Sequence, residues 1–332
     1  MTVQVRSFAK INLGLRIGAA REDGFHDLLS VYQTIGLHDL IRVSVERGRG
    51  IEIRCTDPRV PKNESNTCYR IVEKAMQALD AKGRVAIDIE KRLPVQGGLG
   101  GASANAVATL LALEWVLKKA LHAEERLRIA GEVGSDLPLF LVGGTVLGVG
   151  RGEQVYPLAD LPAMACLVVT PGVGVSTPDA FRRWDRRISG QAGTAELTLP
   201  APSDRMVELG RGLSAWLSAS YSGAPRQNSS IVKPRRGRAE NPLLELVRAG
   251  IKNDFEAVVF PEYPELSEGK CALERAGARY ASLSGSGSTL YGLFASKEAA
   301  RVAVTRLRRQ GWAAQATVTL TRDQYWRRVF DC

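Results

Sequence analysis

Apolar and polar residues alternate along several segments of the first ninety residues, a period-2 pattern that predicts strands with one buried face. The segments with this alternation are 10–17, 42–46, 51–54 and 84–91. Residues 66–82 instead place apolar side chains at helical spacing. Further helices are predicted from Val107 to Trp115 and over 123–132. The first half of the chain is therefore predicted to pack helices against a sheet.

The second half has its own pattern of elements. Strands are predicted at 165–170, 279–283, 289–295 and 313–320, and helices at 203–219, 241–258 and 297–310. The order strand, helices, strand, strand, helix, strand is typical of the split β-α-β arrangement of a ferredoxin-like layer. The pattern of elements therefore predicts an α/β (α+β) protein, and its length allows two domains or one large one.

Composition narrows the class of protein. The chain has 332 residues, of which 45% are hydrophobic and 24% charged, as in folded globular proteins. It contains no run of about 18 apolar residues, so no membrane-spanning helix is predicted. The first six residues do not form a basic segment that leads into an apolar one, so we expect a cytoplasmic protein. Five widely spaced cysteines and three histidines argue against a disulfide framework or a zinc site.

The net charge of +10 favours anionic partners, which could be phosphorylated metabolites, nucleotides, nucleic acid or an acidic membrane face. Part of this charge lies in residues 222–240, which are rich in Ser, Pro, Arg and Asn and show no periodicity. We interpret this stretch as a solvated insertion. Aromatic residues make up only 6% of the chain and do not alternate with the charges, which disfavours nucleic acid as a partner. No feature of the sequence predicts an oligomeric state.

The strongest local motif is the glycine-rich segment 94–105, between a predicted strand and a predicted helix. Glycine amides and the free N–H groups of a helix start can surround a phosphate group. The alternative is a flexible turn between strand and helix. The segment does not fit G-x-x-x-x-G-K-[ST] or G-x-G-x-x-G, which argues against the usual P-loop and dinucleotide folds.

Three further features are candidates for chemistry, each with a structural alternative. Asp136 lies among glycine and apolar neighbours, where its charge would matter, or it caps a short helix. Lys10 lies in an apolar stretch and requires a partner, for which Asp136 is a candidate, although a strand lysine is usually at the surface. Residues 284–287 form a second glycine-rich turn, which taken alone is best explained as a hairpin.

Taken in order, these motifs resemble the GHMP kinases, which include galactokinase, homoserine kinase and mevalonate kinase. The segments that carry the resemblance are 9–13, 23–28, 37–39, 66, 94–105, 134–138, 171–181, 253–256 and 284–287. Within the family the chain is most similar to members that phosphorylate 4-diphosphocytidyl-2-C-methyl-D-erythritol, because of the stretch Asp23 to His26. The resemblance implies a two-domain fold, with an N-terminal ribosomal-S5-like domain over residues 1–160 and a C-terminal ferredoxin-like domain over residues 161–332.

The resemblance also implies roles for individual residues. Asp136 would accept the proton of the substrate hydroxyl, and Lys10 would keep Asp136 ionised and neutralise charge on the transferred phosphoryl group. ATP would be bound, with Mg²⁺ on its phosphates and Ser103 as a candidate ligand, by Asn66, Pro94, Gly97, Gly98, Leu99, Gly100, Gly101 and Ser103. The substrate would contact Asn12, Phe25, His26, Thr177, Phe181, Gly285 and Ser286, with cytosine stacked between Phe25 and Phe181.

The chain departs from the family pattern at several positions. Phe25 replaces the usual tyrosine, and Gln96, Ala102 and Ala104 replace glycine or serine. Stacking on residue 25 is retained without its hydroxyl, and residue 104 can supply no hydroxyl to a phosphate or to magnesium. Two alternatives stay open at this point: another small-molecule GHMP kinase of the homoserine or mevalonate type, and a non-enzymatic basic binding protein.

Overall fold

The computed structural model of the protein describes residues 1–191, 206–207, 210–211 and 251–330. Its first half is built on a long antiparallel hairpin of β1 (Thr2–Ala20) and β2 (His26–Glu46). The other strands of this sheet are β3 (Gly50–Cys55), β4 (Arg84–Glu90), β5 (Thr145–Val149) and β6 (Gln154–Pro157). The order is β3-β4-β2-β5-β6, and β1 pairs with β2. The predicted strands 10–17 and 42–46 are therefore parts of a much longer hairpin.

Helices cover this sheet. They are α1 (Thr67–Ala78), α2 (Gly101–Leu117), α3 (Ala123–Val133) and the short α4 (Leu137–Val142). Helix α2 is buried on nearly all sides from Ala104 to Glu114, because the sheet lies on one side of it and α1 and α4 on the others. The largest apolar core is formed by α1, α2 and the sheet, and it fixes the start of α2 relative to the strands.

The second sheet contains β7 (Ala165–Val169), β8 (Tyr280–Leu283), β9 (Leu290–Phe294) and β10 (Ala314–Val318). Its order β10-β7-β9-β8, with all neighbours antiparallel, confirms the predicted ferredoxin-like layer. The accompanying helices are α5 (Thr177–Gln191), α6 (Glu256–Val259), α7 (Pro264–Arg275) and α8 (Lys297–Arg309).

The two halves share contacts. The hydroxyl of Tyr291, in β9, donates to the carbonyl oxygen of Asn12, in β1, at 2.8 Å. The last helix, α9 (Arg322–Val329), crosses back to the first half, where the Tyr325 hydroxyl donates to the Phe140 carbonyl oxygen at 2.7 Å. A division of the chain at residue 160 stays a prediction. Helix α9 belongs to the second predicted domain by its sequence position, but it packs against the first half of the chain.

Some sequence predictions fall outside the described residues. These are the basic stretch 222–240, most of the helix 203–219 and the first part of the helix 241–258. Residues 251–255 are not helical, since their backbone pairs with β1: Leu15 N donates to Lys252 O and Asp254 N donates to Leu15 O. Within the described residues, no helix has both the length and the apolar character needed to span a membrane.

Candidate active site

The glycine-rich segment leads from β4 into α2 and forms one wall of an open cavity of about 360 Å³. Gly98 and Gly100 have φ of 77° and 69°, a left-handed conformation that favours glycine. Helix α2 begins directly after Gly100, so the free N–H groups of its first turn face the same cavity. All eight residues predicted to bind ATP line the cavity: Asn66, Pro94, Gly97, Gly98, Leu99, Gly100, Gly101 and Ser103. We call residues 94–101 the phosphate loop.

Asn66 lies at the cavity wall but has a structural task of its own. It is the N-cap of α1, where its side-chain oxygen accepts from Cys68 N at 2.9 Å. Its amide nitrogen donates to the Pro61 carbonyl oxygen at 2.6 Å. The side-chain amide is thus occupied by the backbone, and its predicted contact with ATP stays a prediction.

The second glycine-rich turn packs directly on the phosphate loop. The Ser284 hydroxyl donates to the Gly98 carbonyl oxygen at 3.0 Å, and Thr289 N donates to the Gly97 carbonyl oxygen at 3.1 Å. A Cβ atom on Gly98 would lie 2.0 Å from the Ser284 carbonyl oxygen. On the other side, the Asn253 amide donates to the carbonyl oxygens of Leu283 and Gly285. Turn 284–287 does join β8 to β9 as a hairpin, and in addition it contacts the phosphate loop.

Lys10 and Asp136 meet beside these two loops. The Lys10 ammonium lies 3.4 Å from a carboxylate oxygen of Asp136 and donates to the Asn12 side-chain oxygen at 2.7 Å. The Lys10 side chain is only 4% exposed, whereas that of Asp136 is 34% exposed. Asp136 occupies the N-cap position of α4 but makes no capping hydrogen bond with its side chain. Its carboxylate therefore faces the lysine and the solvent, which is the arrangement that a proton acceptor requires.

The local structure of β1 explains how Lys10 reaches this point. Lys10 and Asn12 are two residues apart and so project from the same face of the strand. The β1–β2 register shifts between Phe8 and Lys10 and again between Asn12 and Gly14, so irregularities bracket the pair. Such bulges redirect side chains and are common beside active sites. The backbone of Lys10 also donates to the Leu99 carbonyl oxygen at 3.0 Å, which ties the strand to the phosphate loop.

Tyr32 is a site residue that the sequence did not indicate. It lies opposite Asn12 in the β1–β2 register, and its hydroxyl is 3.4 Å from an oxygen of Asp136. Burial, reinforced by the negative charge of Asp136, raises the pKa of Tyr32 well above 10, so the hydroxyl stays protonated and donates. The Lys10 ammonium lies 5.4 Å from the centre of its ring. In the sequence Tyr32 lies between Val31 and Gln33, in a mixed stretch that carries no local signal for a site.

The residues predicted to bind substrate fall into two groups. His26 and Phe181 are stacked with ring centres 4.8 Å apart, and His26 Nε2 lies 2.6 Å from a carboxylate oxygen of Asp185. Phe25, in contrast, is 49% exposed, with the guanidinium of Arg151 4.9 Å from its ring centre. The ring of His26, rather than an open space for cytosine, thus lies against Phe181. A cytosine stacked between Phe25 and Phe181 stays a prediction.

The remaining predicted substrate residues lie on the Lys10 side of the site. The hydroxyls of Thr177 and Ser286 are 2.7 Å apart, so the start of α5 contacts turn 284–287. A Cβ atom on Gly285 would lie 3.6 Å from the Asn12 side-chain oxygen, so this turn also reaches the Lys10–Asn12 pair.

Comparison with known proteins agrees with this arrangement. Family models for the N-terminal and C-terminal domains of GHMP kinases match residues 66–144 and 239–313. A relative from Solibacter usitatus, named 4-diphosphocytidyl-2-C-methyl-D-erythritol kinase, is 37% identical over 89% of this chain and 82% of its own length. The chain belongs to this family of GHMP kinases. A family member of the same name from Citrifermentans bemidjiense is 30% identical over 96% of this chain and 99% of its own length.

Solved structures support the same assignment. A crystal structure of 4-(cytidine 5'-diphospho)-2C-methyl-D-erythritol kinase is 29% identical and superposes with a TM-score of 0.69, covering 96% of this chain and 99% of the other. Homoserine kinase from Cytophaga hutchinsonii has a TM-score of 0.68 over 96% of this chain and 95% of its own at 19% identity, which shows the shared fold alone. The chain is thus an ATP-dependent kinase of the GHMP type.

Proposed function

We propose that this protein transfers the γ-phosphoryl group of ATP to the 2-hydroxyl of 4-diphosphocytidyl-2-C-methyl-D-erythritol, giving the 2-phosphate and ADP in isoprenoid precursor biosynthesis. The observation that carries the proposal is the Lys10–Asp136 pair, 3.4 Å apart and adjacent to the phosphate loop. Relatives with 30 to 37% identity over most of their lengths have names that specify this substrate.

The chemistry follows from the placement of the two charges. The substrate hydroxyl would approach the exposed side of Asp136, whose carboxylate accepts the proton as the oxygen attacks the γ-phosphorus. The bond between this phosphorus and the β–γ bridging oxygen breaks, and ADP leaves. Lys10 is positioned to stabilise the negative charge on the transferred group, because its ammonium is nearly buried, and charge interactions are stronger away from bulk water. Tyr32 orients the carboxylate from its other oxygen.

Mg²⁺ would enter the site bound to the ATP phosphates, where it would neutralise part of their charge. Within residues 1–191 and 251–330, no group of three or more His, Cys, Asp or Glu side chains is arranged to hold a metal. Mg²⁺ prefers oxygen ligands and often keeps only one or two from the protein. The Ser103 hydroxyl, in the first turn of α2 and at the cavity wall, fits such a role.

Substrate selection would rest on the region around His26 and α5. His26 is buried, and the carboxylate of Asp185 fixes one of its ring nitrogens, which leaves the other for a nucleobase. Thr177 and Ser286, whose hydroxyls are 2.7 Å apart, would contact the part of the substrate near the reacting hydroxyl. In this assignment, residues 1–160 supply the phosphate loop, Lys10 and Asp136. The second half of the chain supplies Thr177, Phe181 and turn 284–287.

A coupled assay of ADP release tests the proposal. The purified protein is given ATP and Mg²⁺ with 4-diphosphocytidyl-2-C-methyl-D-erythritol, mevalonate or homoserine as acceptor. We expect ADP release with the first acceptor alone. Turnover with mevalonate or homoserine would contradict the assigned substrate, and no turnover with any acceptor would contradict the kinase assignment.

A further inference from the structure

Asp39 is a fully buried carboxylate that the reaction does not use directly. It lies in β2 just beyond the point where pairing with β4 stops, at Leu40 and Glu90. One of its oxygens accepts from the backbone N–H groups of Arg92 and Leu93, both at 2.7 Å. The other accepts from the Lys91 ammonium at 2.5 Å and from the Asn105 amide at 3.0 Å. Four donors therefore converge on this one carboxylate.

These donors lie on both sides of the phosphate loop. Lys91, Arg92 and Leu93 directly precede it, and Asn105 lies in the first turns of α2, directly after it. The Lys91 ammonium also lies beneath the start of α2, 3.3 Å from the place where a Cβ atom on Gly101 would be. By binding donors from both ends, Asp39 sets the separation between the entry and the exit of the loop.

A carboxylate is required for this arrangement. Its two oxygens can accept all four hydrogen bonds, and its charge balances the ammonium of Lys91, whose side chain is only 8% exposed. An asparagine would present an NH₂ group to two of the donors, which leaves a buried cation without its counter-charge. Such a change would disturb the backbone at residues 92–93 and the first turns of α2, since these contain the hydrogen-bond partners of Asp39.

We propose that Asp39 is a positioning residue for ATP, which acts by fixing the two ends of the phosphate loop. The inference rests on the proposed function, because it assumes that nucleotide phosphates bind to this loop. The four donors that the Asp39 carboxylate binds belong to Lys91, Arg92, Leu93 and Asn105, and none of these is a residue predicted to contact the acceptor. Loss of its carboxylate should therefore weaken the use of ATP and leave the use of the acceptor unchanged.

The test is the kinetics of Asp39→Asn beside a matched control. Glu114→Gln removes another buried carboxylate of the same helix layer, which accepts from Leu121 N and from the Arg126 guanidinium, far from the phosphate loop. We expect Asp39→Asn to raise KM for ATP at least about tenfold and to change KM for the acceptor by less than about twofold. We expect Glu114→Gln to lower the melting temperature and leave both KM values unchanged.

The proposal is overturned if Asp39→Asn melts at a lower temperature but keeps the wild-type KM for ATP, since that is the behaviour of a purely structural residue. If Asp39→Asn does not fold, Asn105→Ala takes its place, because it removes one of the four bonds and leaves the charge pair intact. We then expect KM for ATP to rise about threefold or more, together with faster amide exchange over residues 94–101. An unchanged KM and unchanged exchange in Asn105→Ala would overturn the proposal equally. Wild-type protein without ATP turnover would instead contradict the proposed function.

Discussion

The contact between the two glycine-rich turns predicts a large kinetic effect of a single methyl group. In Gly98→Ala, the new Cβ atom would lie 2.0 Å from the Ser284 carbonyl oxygen, and contacts under 3.0 Å are essentially never observed. One loop must therefore move by at least 1.0 Å. The left-handed φ of 77° adds a cost of about 1–2 kcal/mol for alanine. Because a misplacement of about 1 Å at a reacting group can cost about a hundredfold in rate, we expect kcat/KM for ATP to fall by about that factor.

Gly311→Ala is a control that separates the steric contact with Ser284 from the cost of a left-handed backbone at alanine. Gly311 has a φ of 89° and no atom within 4 Å of a Cβ atom, so alanine there suffers the backbone cost alone. The assay is steady-state ADP release at varied ATP, with thermal unfolding measured on the same samples. We expect Gly311→Ala to lose about 1–2 kcal/mol of stability with wild-type kinetics. If Gly98→Ala has the same kinetics as Gly311→Ala, the packing of turn 284–287 on the phosphate loop has no part in the reaction.

Tyr32, Gln96 and residues 225–238 each allow a further test. Tyr32→Phe should lower kcat about three- to tenfold, because Asp136 loses one donor. Because burial raises the pKa of Tyr32 well above 10, ionisation of its hydroxyl should not lower the activity of wild type below pH 10. A loss of wild-type activity at basic pH that disappears in Tyr32→Phe would contradict this. Gln96→Gly should raise the free energy of unfolding by about 0.5–1 kcal/mol in denaturant titrations, because Gln96 is held at a φ of 60°; a destabilised variant would contradict that loop conformation. Deletion of residues 225–238 should leave kcat and KM within about twofold, as a solvated insertion predicts, whereas a folded but inactive deletion would refute that interpretation.

The parts of the fold that the sequence predicted are those with a clear period. The ferredoxin-like layer was predictable because its strands are short and are separated by turns or helices. Strand β2 was predicted only at its end, over 42–46, since residues 26–41 mix apolar and polar residues without a regular alternation. Most of that stretch is buried, because β1, β4 and β5 pair with its edges and helix α2 packs on the sheet. Tyr32 and Asp39 both lie in this stretch. Tyr32 was not singled out, and Asp39 entered only as part of the segment 37–39 that carries the resemblance.

The site was predictable to the extent that its chemistry is local. The phosphate loop carries its own signal, since glycines between a strand and a helix indicate an anion site. Pairing of Lys10 with Asp136 depends on two register shifts in β1 and on the position of α4, which no local pattern specifies. The stacking of His26 on Phe181 likewise arises where α5 packs beside the hairpin of β1 and β2. The resemblance to GHMP kinases indicated these residues, and only the structure gives their distances.

In the proposed mechanism, Asp136 accepts the proton while the phosphate loop binds ATP independently of it. Asp136→Asn separates these two functions, because the amide keeps the shape of the side chain and cannot serve as the base. We predict that kcat falls at least about a hundredfold, while the dissociation constant of a non-hydrolysable ATP analogue, measured by titration calorimetry, stays within about threefold of wild type. A variant with near-normal kcat would contradict the account.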